Sequence, residues 1–451
     1  SIGSAHFSTR ENIQLHWVVL EDVSEIFRSL AEVGLTSREA CGNSVRNVMC
    51  SPLSGVCSDE KFDSTPYALA TAKFFLRNPM AQSLPRKFKF NFTCCEKHGM
   101  VRMVDVGLIP EIQQIDGSEQ KGFKIFLGGG LGNRSFVGHQ LEDFTTEEDL
   151  LYTSIAVVRI FDRLGDRKNL ARNRMRYLVN DMGWEKFQNL VLKERAIVRA
   201  TQSVVTRLKV DTTPDKITRP LKISDEIGGS VPDGYARWLK TNTIKQKQSD
   251  YRSVFITLES GDITSNQLNA MANIIREFSS EGKARSGFVQ NVAIRYVHED
   301  DLVNLYSKLL ETGLAKSGGL TMTTPVGCSG TTSCNLALTN SHRLAKEIQR
   351  KFLELKLDED DDLTDSSIKI SGCPNSCAQH GIATIGFFGG GGRVGKDMYP
   401  NYQMSLGGRF DGDTMLGQTC IRVPAKRVIL VILKIIELFK ENKKSDDTLK
   451  S

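Results

Sequence analysis

Part of this chain repeats itself without a gap. "ENIQLHWVVLEDVSEIFRSLAEVGL" at 11–35 aligns on "QNVAIRYVHEDDLVNLYSKLLETGL" at 290–314, Asn12 facing Asn291 and Gly34 facing Gly313, a shift of 279 residues. A repeat of this length constrains the fold more than any single motif, because both copies must bury the same faces. Each copy reads as a strand of alternating apolar residues, an acidic turn, and a helix closed by Gly34 or Gly313. A second correspondence sets "KFKFNFTCCEKHGMVRMVDVGL" (87–108) against "KISGCPNSCAQHGIATIGFF" (369–388), with His98-Gly99 opposite His380-Gly381; a third sets "FKIFLGG" (123–129) against "YQMSLGG" (402–408). Two similar halves about a pseudo-two-fold axis are expected, joined near residues 245–253.

The halves are not equal. Residues 251–282 read as a strand, a loop and a helix capped by Asp262 or Thr264, and the first half has no matching stretch. The N-terminal half is thus expected to lack one strand and one helix, leaving a sheet edge that something else must cover. The start, "SIGSAHFSTREN", has neither an initiator Met nor a basic-then-apolar leader, so the chain reads as a piece whose true start lies upstream. Residues 142–208 carry helical periodicity and read as a helical cover, residues 425–444 as a closing helix, and the acidic run Asp358–Asp362 as a solvated loop.

Composition narrows the classes. At 451 residues the chain needs two to four packed units, and its longest uncharged apolar run, Val428 to Leu433, is far short of the roughly 20 residues that span a bilayer. A net charge of +6 with interleaved acids argues against nucleic acid as partner. Ten cysteines in a chain of this length do not make a disulfide scaffold, so a reducing, cytoplasmic compartment is expected.

The cysteines are clustered. Cys328-x5-Cys334 and Cys373-x3-Cys377 can present four thiolates from two loops, to a tetrahedral metal or to a [4Fe-4S] cube. The wide first spacing and the glycine- and hydroxyl-rich "GCSGTTSC" favour the cube, while a zinc-binding structural protein or a haem-free iron-sulfur electron carrier stays open. The first half offers cations instead. Arg10, Gln14 and His16 are expected on one face of a strand, Arg46 in a loop, and Lys87 and Lys89 on one side of the strand matched to the one that carries Cys373. Together they suggest a pocket for a small anion. The glycine runs at 127–135 and 387–395 do not fit a dinucleotide fingerprint and read as loops allowing close backbone approach.

With these residues in view, the chain resembles the sulfite and nitrite reductase haemoprotein family, through "TRENIQLH", "GNSVRNV", "LPRKFK", "GCSGTTSC", "SGCPNSC" and the duplication. The resemblance implies an α+β fold in which two tandem pseudo-two-fold-related repeats form three domains, ferredoxin-like half-domains plus two larger mixed-sheet α+β domains. The expected divisions are 1–38 with 252–316, 39–251, and 317–451. It implies a sirohaem coupled to a [4Fe-4S] cluster bound by Cys328, Cys334, Cys373 and Cys377, with Cys377 also ligating the haem iron. Arg10, Gln14, His16 and Asn375 match positions at the macrocycle, and Arg46, Lys87 and Lys89 match cations that bind the oxyanion. A further anion-binding arginine is implied on the missing first strand. Cys50 and Cys57 resemble a relict of the second half's cysteine loop. The implied reaction is six-electron reduction of sulfite to sulfide, or of nitrite to ammonia, with ferredoxin or a flavoprotein subunit as donor; a lysine at position 89 favours sulfite.

Overall fold

The computed structural model describes residues 3–202, 208–213, 216–219, 231–412, 414–444, 447 and 449. The end of the expected helical cover, residues 203–207, lies outside them. The chain opens with β1 (Ser4–Phe7) and β2 (Ile13–Gln14), followed by α1 (Val23–Glu32), β3 (Val45–Cys50), α2 (Thr65–Phe75), β4 (Phe88–Phe92), β5 (Val106–Ile115), β6 (Ser118–Leu127), β7 (His139–Gln140), β8 (Thr145–Thr146), α3 (Asp149–Leu164), α4 (Met175–Met182) and α5 (Trp184–Gln202). The second half continues with α6 (Tyr235–Asn242), β9 (Thr243–Lys245), β10 (Tyr251–Ile256), β11 (Asp262–Thr264), α7 (Ser265–Phe278), β12 (Ala284–Ser286), β13 (Val292–His298), α8 (Leu302–Glu311), β14 (Val326–Gly327), α9 (Ser341–Glu354), β15 (Ile368–Ser371), β16 (Ile385–Val394), β17 (Asp397–Leu406), β18 (Gln418–Pro424) and α10 (Val428–Asn442).

The chain divides into two compact units, one of residues 1–19, 215–409 and 413–451, the other of residues 20–214 and 410–412. In the second of these, β3-β4-β5 run parallel and β6 and β7 continue antiparallel, with β8 also on β6. Phe88, Phe90 and Phe92 point from one face of β4 into a core completed by Val157 and Phe161 of α3 and Phe187 and Val191 of α5. Period-2 burial on the strand and helical spacing on the cover meet there, which is what fills the core.

The other unit holds three sheets. β14-β15-β16-β17-β18 repeats the mixed pattern and is covered by Ile348 and Phe352 of α9 and Ile432 and Ile436 of α10. β12-β13-β10-β9 carries α7 and α8. β11-β1-β2 is the third, and there β11 pairs with β1 from Ser4↔Thr264 to His6↔Asp262; β2, the twin of β13, has no strand in the place that β10 takes beside β13, so the edge left by the missing strand carries no paired strand among the described residues. A reciprocal capping box between Thr264 and Gln267 starts α7.

The repeat extends far beyond the aligned segments. β5 and β16, β6 and β17, and α1 and α8 each begin 279 residues apart and have equal lengths, and the bridge Gly130↔Phe136 recurs as Arg409↔Met415. Even strained positions recur, Glu11 with Gln290 and Trp17 with Tyr296 at φ between 53° and 61°. This register corrects one sequence alignment: His98 falls opposite Cys377, not opposite His380, because the turn at 101–103 is the twin of that at 380–382. The glycine run at 387–395 is also not a loop, since Gly389 to Gly392 lie within β16 and pair with β17.

Gly107 and its twin Gly386 show why the register cannot slip. A Cβ on Gly107 would lie 1.9 Å from the Val101 carbonyl oxygen, and one on Gly386 would lie 2.1 Å from that of His380. Gly386→Ala should therefore lower stability by about 1–3 kcal/mol through overpacking, read as a lower urea midpoint with an unchanged slope.

Candidate functional site

β14 pairs in parallel with β15, Val326↔Lys369 and Gly327↔Ile370, so the loops that leave the two strands start at one edge. The first carries Cys328 and Cys334, the second Cys373 and Cys377. The Cys328 N–H donates to the Ile370 carbonyl at 3.1 Å, and the Gly372 N–H donates to Cys328 Sγ at 3.1 Å. Ser341 Oγ lies 3.1 Å from the same sulfur. A Cβ at Gly372 would stand 2.9 Å from the Thr339 oxygen and 3.0 Å from the Gly330 Cα, so glycine is what lets the loops meet. Burial raises the pKa of the Cys373 thiol; the Asn375 backbone N–H bonds its sulfur and opposes this, Cys328 and Cys334 raise it further, and the Asn375 side chain lowers it. Asn375 thus acts on a cysteine of the set. Cys377 is exposed, and its carbonyl accepts from Thr9 Oγ1 at 2.6 Å.

The strand expected to put Arg10, Gln14 and His16 on one face does not form over that length. Only Ile13–Gln14 is strand, because Ser8 closes a turn: its N–H donates to the Asn12 carbonyl, its hydroxyl accepts from the Arg10 and Asn12 N–H groups, and Glu11 is left-handed. The turn instead docks on the cysteine loop. The Gln379 side chain donates to the Thr9 carbonyl at 2.8 Å and accepts from Lys369 Nζ at 2.8 Å. Lys369 is buried, and that burial, reinforced by the Arg10 charge, pushes its pKa down to about 7. The sequence reading missed Lys369; a lysine in an otherwise apolar strand, "IKIS", was the available signal.

Gln14 is exposed, whereas His16 is half-buried and its Nε2 is buried without a hydrogen-bond partner among the described residues. Burial first, then the nearby His6, lowers its pKa. Beneath it, Asp262 joins His6 at 2.9 Å, His342 at 2.8 Å and Lys346 at 3.0 Å. Burial opposes ionisation of that carboxyl, yet hydrogen bonds from the two histidines and Lys346 hold it well below the usual carboxylate range. This ion network, whose Lys346 already supplies a cation, was also missed; Asp262 reads in sequence only as a helix cap.

The other unit carries the remaining expected residues. Arg46 lies in β3, not in a loop: the β3–β4 register shifts between Val45↔Phe88 and Asn47↔Lys89, which makes Arg46 a bulge residue beside Lys89. Its guanidinium donates to the Ala40 carbonyl, and burial, with Arg174 and Arg86 nearby, lowers its pKa despite the opposing Cys41. Lys87 and Lys89 are half-buried, flanking the core residue Phe88. Buried Asp105 organises the group, accepting the Lys89 backbone N–H at 3.0 Å and pairing with Arg174 at 2.9 Å. These contacts join Arg46, Lys89 and Arg174 into one cationic region.

Comparison with known proteins places this geometry. Residues 41–198 and 318–450 match the family described as "Nitrite and sulphite reductase 4Fe-4S domain", and residues 244–312 match the "Nitrite/Sulfite reductase ferredoxin-like half domain". The assimilatory ferredoxin-dependent nitrite reductase of Haloferax mediterranei is 29% identical over 99% of this chain and 74% of its own length. Sulfite reductase [ferredoxin] 1 of Mycolicibacterium paratuberculosis is 27% identical over 86% of this chain and 64% of its own length. The solved structure of Mycobacterium tuberculosis NirA shares the fold, with a TM-score of 0.80 at 24% identity, covering 100% of this chain and 77% of that one. The four-cysteine set fits a four-iron cluster. Cys373 senses the charges of Cys328 and Cys334, and Cys328 accepts a backbone N–H bond, yet the donor sets that close to within 4.8 Å, the spacing of a single ion, are formed by other residues. No helix among the described residues is long and apolar enough to cross a membrane.

His380, one turn past Cys377, supports this edge: its Nδ1 meets Ser371 Oγ at 3.0 Å, and burial drives its pKa down to about 4. The native state keeps it neutral, while the unfolded chain protonates it near about 6.5, so its stabilisation is full above that pH and is lost as pH falls through about 4. The melting temperature of the wild type relative to His380→Gln should fall between pH 6.5 and pH 4, measured at matched ionic strength.

Proposed function

Because the chain belongs to the nitrite and sulphite reductase family, whose cofactors are sirohaem and a [4Fe-4S] cluster, we propose that it reduces sulfite to sulfide. The observation that carries the reading is the pair of cysteine loops delivered to one sheet edge by β14 and β15. Cys328, Cys334, Cys373 and Cys377 hold the cluster, and Cys377, the exposed one of the four on the segment that Thr9 anchors, also serves the haem. Arg10, Gln14, His16 and Asn375 bind the carboxylate-bearing macrocycle; the buried Nε2 of His16, without a hydrogen-bond partner among the described residues, is suited to such a group.

When bound, the cofactors supply low-potential electrons one at a time, six in all for sulfite. The protein's own residues handle charge and protons. Arg46, Lys87 and Lys89 hold the oxyanion by charge-assisted hydrogen bonds and polarise each oxygen that leaves as water. The lysines can also donate protons, which an arginine at its high pKa cannot do efficiently. Asp105 fixes the backbone at Lys89 and neutralises Arg174.

A ferredoxin is the proposed donor. A small acidic protein suits the chain's +6 charge, and ferredoxin appears in the names of the Haloferax and Mycolicibacterium relatives. Nitrite reduction to ammonia by the same machinery is the second reading, favoured by the Haloferax relative. Steady-state rates with sulfite and with nitrite under one viologen reductant separate the two. Turnover of sulfite is expected, and turnover of nitrite alone would overturn the sulfite reading.

Lys89→Asn should shift the nitrite-to-sulfite ratio of kcat/KM upward by about tenfold, the loss of one charge-assisted contact to the more highly charged anion. Cys377→Ser should disturb both the haem absorption and the cluster signal; an unaltered haem band would sink the shared-thiolate assignment.

A further inference from the structure

The 279-residue register sets Cys94 opposite Cys373 and His98 opposite Cys377, so the first half carries its own donor set on the same two loops. That set has a different geometry. Cys57, in the loop after β3, and Cys94, Cys95 and His98, in the loop after β4, present ligand atoms that all lie within 4.8 Å of one another. Cys57 Sγ is 3.8 Å from Cys95 Sγ and 3.8 Å from His98 Nδ1; Cys95 Sγ is 3.9 Å from Cys94 Sγ and 3.1 Å from His98 Nδ1. A tetrahedral ion with bonds of about 2.3 Å to sulfur and about 2.0–2.1 Å to nitrogen holds its ligands about 3.8 Å apart for sulfur pairs and about 3.5 Å for sulfur to nitrogen. We propose that Cys57, Cys94, Cys95 and His98 hold a structural zinc ion.

The surroundings are those of a built site. The three cysteines are buried, and the ten cysteines of the chain are all free thiols. Backbone N–H groups of Lys97 and His98 bond Cys95 Sγ, as the second shell of a metal thiolate requires. Thr93 Oγ1 donates to the carbonyls of Cys95 at 3.1 Å and His98 at 2.8 Å, Ser64 Oγ donates to the Thr93 carbonyl, and Lys97 pairs with Asp59 at 2.8 Å across the two loops. A Cβ on Gly99 would lie 2.6 Å from Thr93, so the turn is compact. The Cys95-x2-His98 spacing is that of a zinc-binding loop.

The donor set selects the metal. Three thiolates and one imidazole, all protein-derived, leave no open position, which marks a structural and not a catalytic ion, and soft sulfur ligands at tetrahedral spacing suit zinc. The ligand atoms stand too close together to surround a four-iron cube. The ion would fasten the loop after β3 to the loop after β4, the two parallel strands that carry Arg46 and Lys89. Zinc here would stiffen the anion-binding strands and take no part in electron flow.

The test uses the full chain with its iron cofactors, purified anaerobically without chelators. Elemental analysis is expected to find about one zinc per chain beside the iron, and zinc-edge X-ray absorption a shell of three sulfurs and one nitrogen. Cys95→Ser should lower zinc by at least about tenfold, while Cys420→Ser, at an exposed cysteine that is not one of the set, should leave it unchanged. As Cys95→Ser can also fail to fold, wild-type protein is challenged independently: cadmium exchanged for zinc should give an ultraviolet thiolate-to-metal band. Zinc below about a tenth per chain in protein that also takes up none on titration, a shell of oxygen and nitrogen alone, a disulfide among Cys57, Cys94 and Cys95, or unchanged zinc in folded Cys95→Ser would each overturn the proposal.

Discussion

In each half, a short parallel strand pair delivers two loops to the same edge of its sheet, and the chemistry of this protein depends on that. β14 beside β15 starts the loop of Cys328 and Cys334 next to that of Cys373 and Cys377; β3 beside β4 brings Cys57 to Cys94, Cys95 and His98. Antiparallel pairing would send the second loop to the opposite edge. Parallel strands need a crossover, supplied by α2 between β3 and β4 and by α9 between β14 and β15. The helices are therefore part of how the sites are made.

Packing then makes the edge rigid. Gly107 and Gly386 press the 101–103 and 380–382 turns onto their strands, and Gly372 presses the two cysteine loops together. Polar groups in these contacts are matched: Lys369 to Gln379, Gln379 to Thr9, Ser371 to both His380 and the Ala378 N–H. A buried lysine with its pKa pushed to about 7 costs stability when charged, and the nearby Arg10 charge adds to that cost.

One scaffold has thus acquired different donors in its two copies. The second half spreads four thiolates over two loops, whereas the first gathers three thiolates and an imidazole to the spacing of one ion and adds the cations of β3 and β4. The bulge at Arg46 has no counterpart in the β14–β15 register, Val326↔Lys369 and Gly327↔Ile370, and a bulge bends its strand and re-aims a side chain. Duplication conserves the order of the strands; the side chains and the local pairing of the parallel strands are free to diverge.

The duplication, the α+β class and the two cysteine pairs were legible in the amino-acid order, because strand and helix periodicity and cysteine spacing are local properties. Position 89 as a strand lysine was legible for the same reason. Arg46 as a bulge residue, the turn at Ser8 in place of a longer strand, and the pairing of β1 with β11 were not, since each depends on hydrogen bonds to residues far away or on competition between side chain and backbone. The sequence alignment set His98 against His380 because like letters attract; only strand lengths and turn positions put it against Cys377. The sequence by itself determined which donors the chain owns and that its two halves share a fold. The tertiary structure decided which donors meet and at what spacing, since parallel pairing and close glycine contacts, and not proximity along the chain, set those distances.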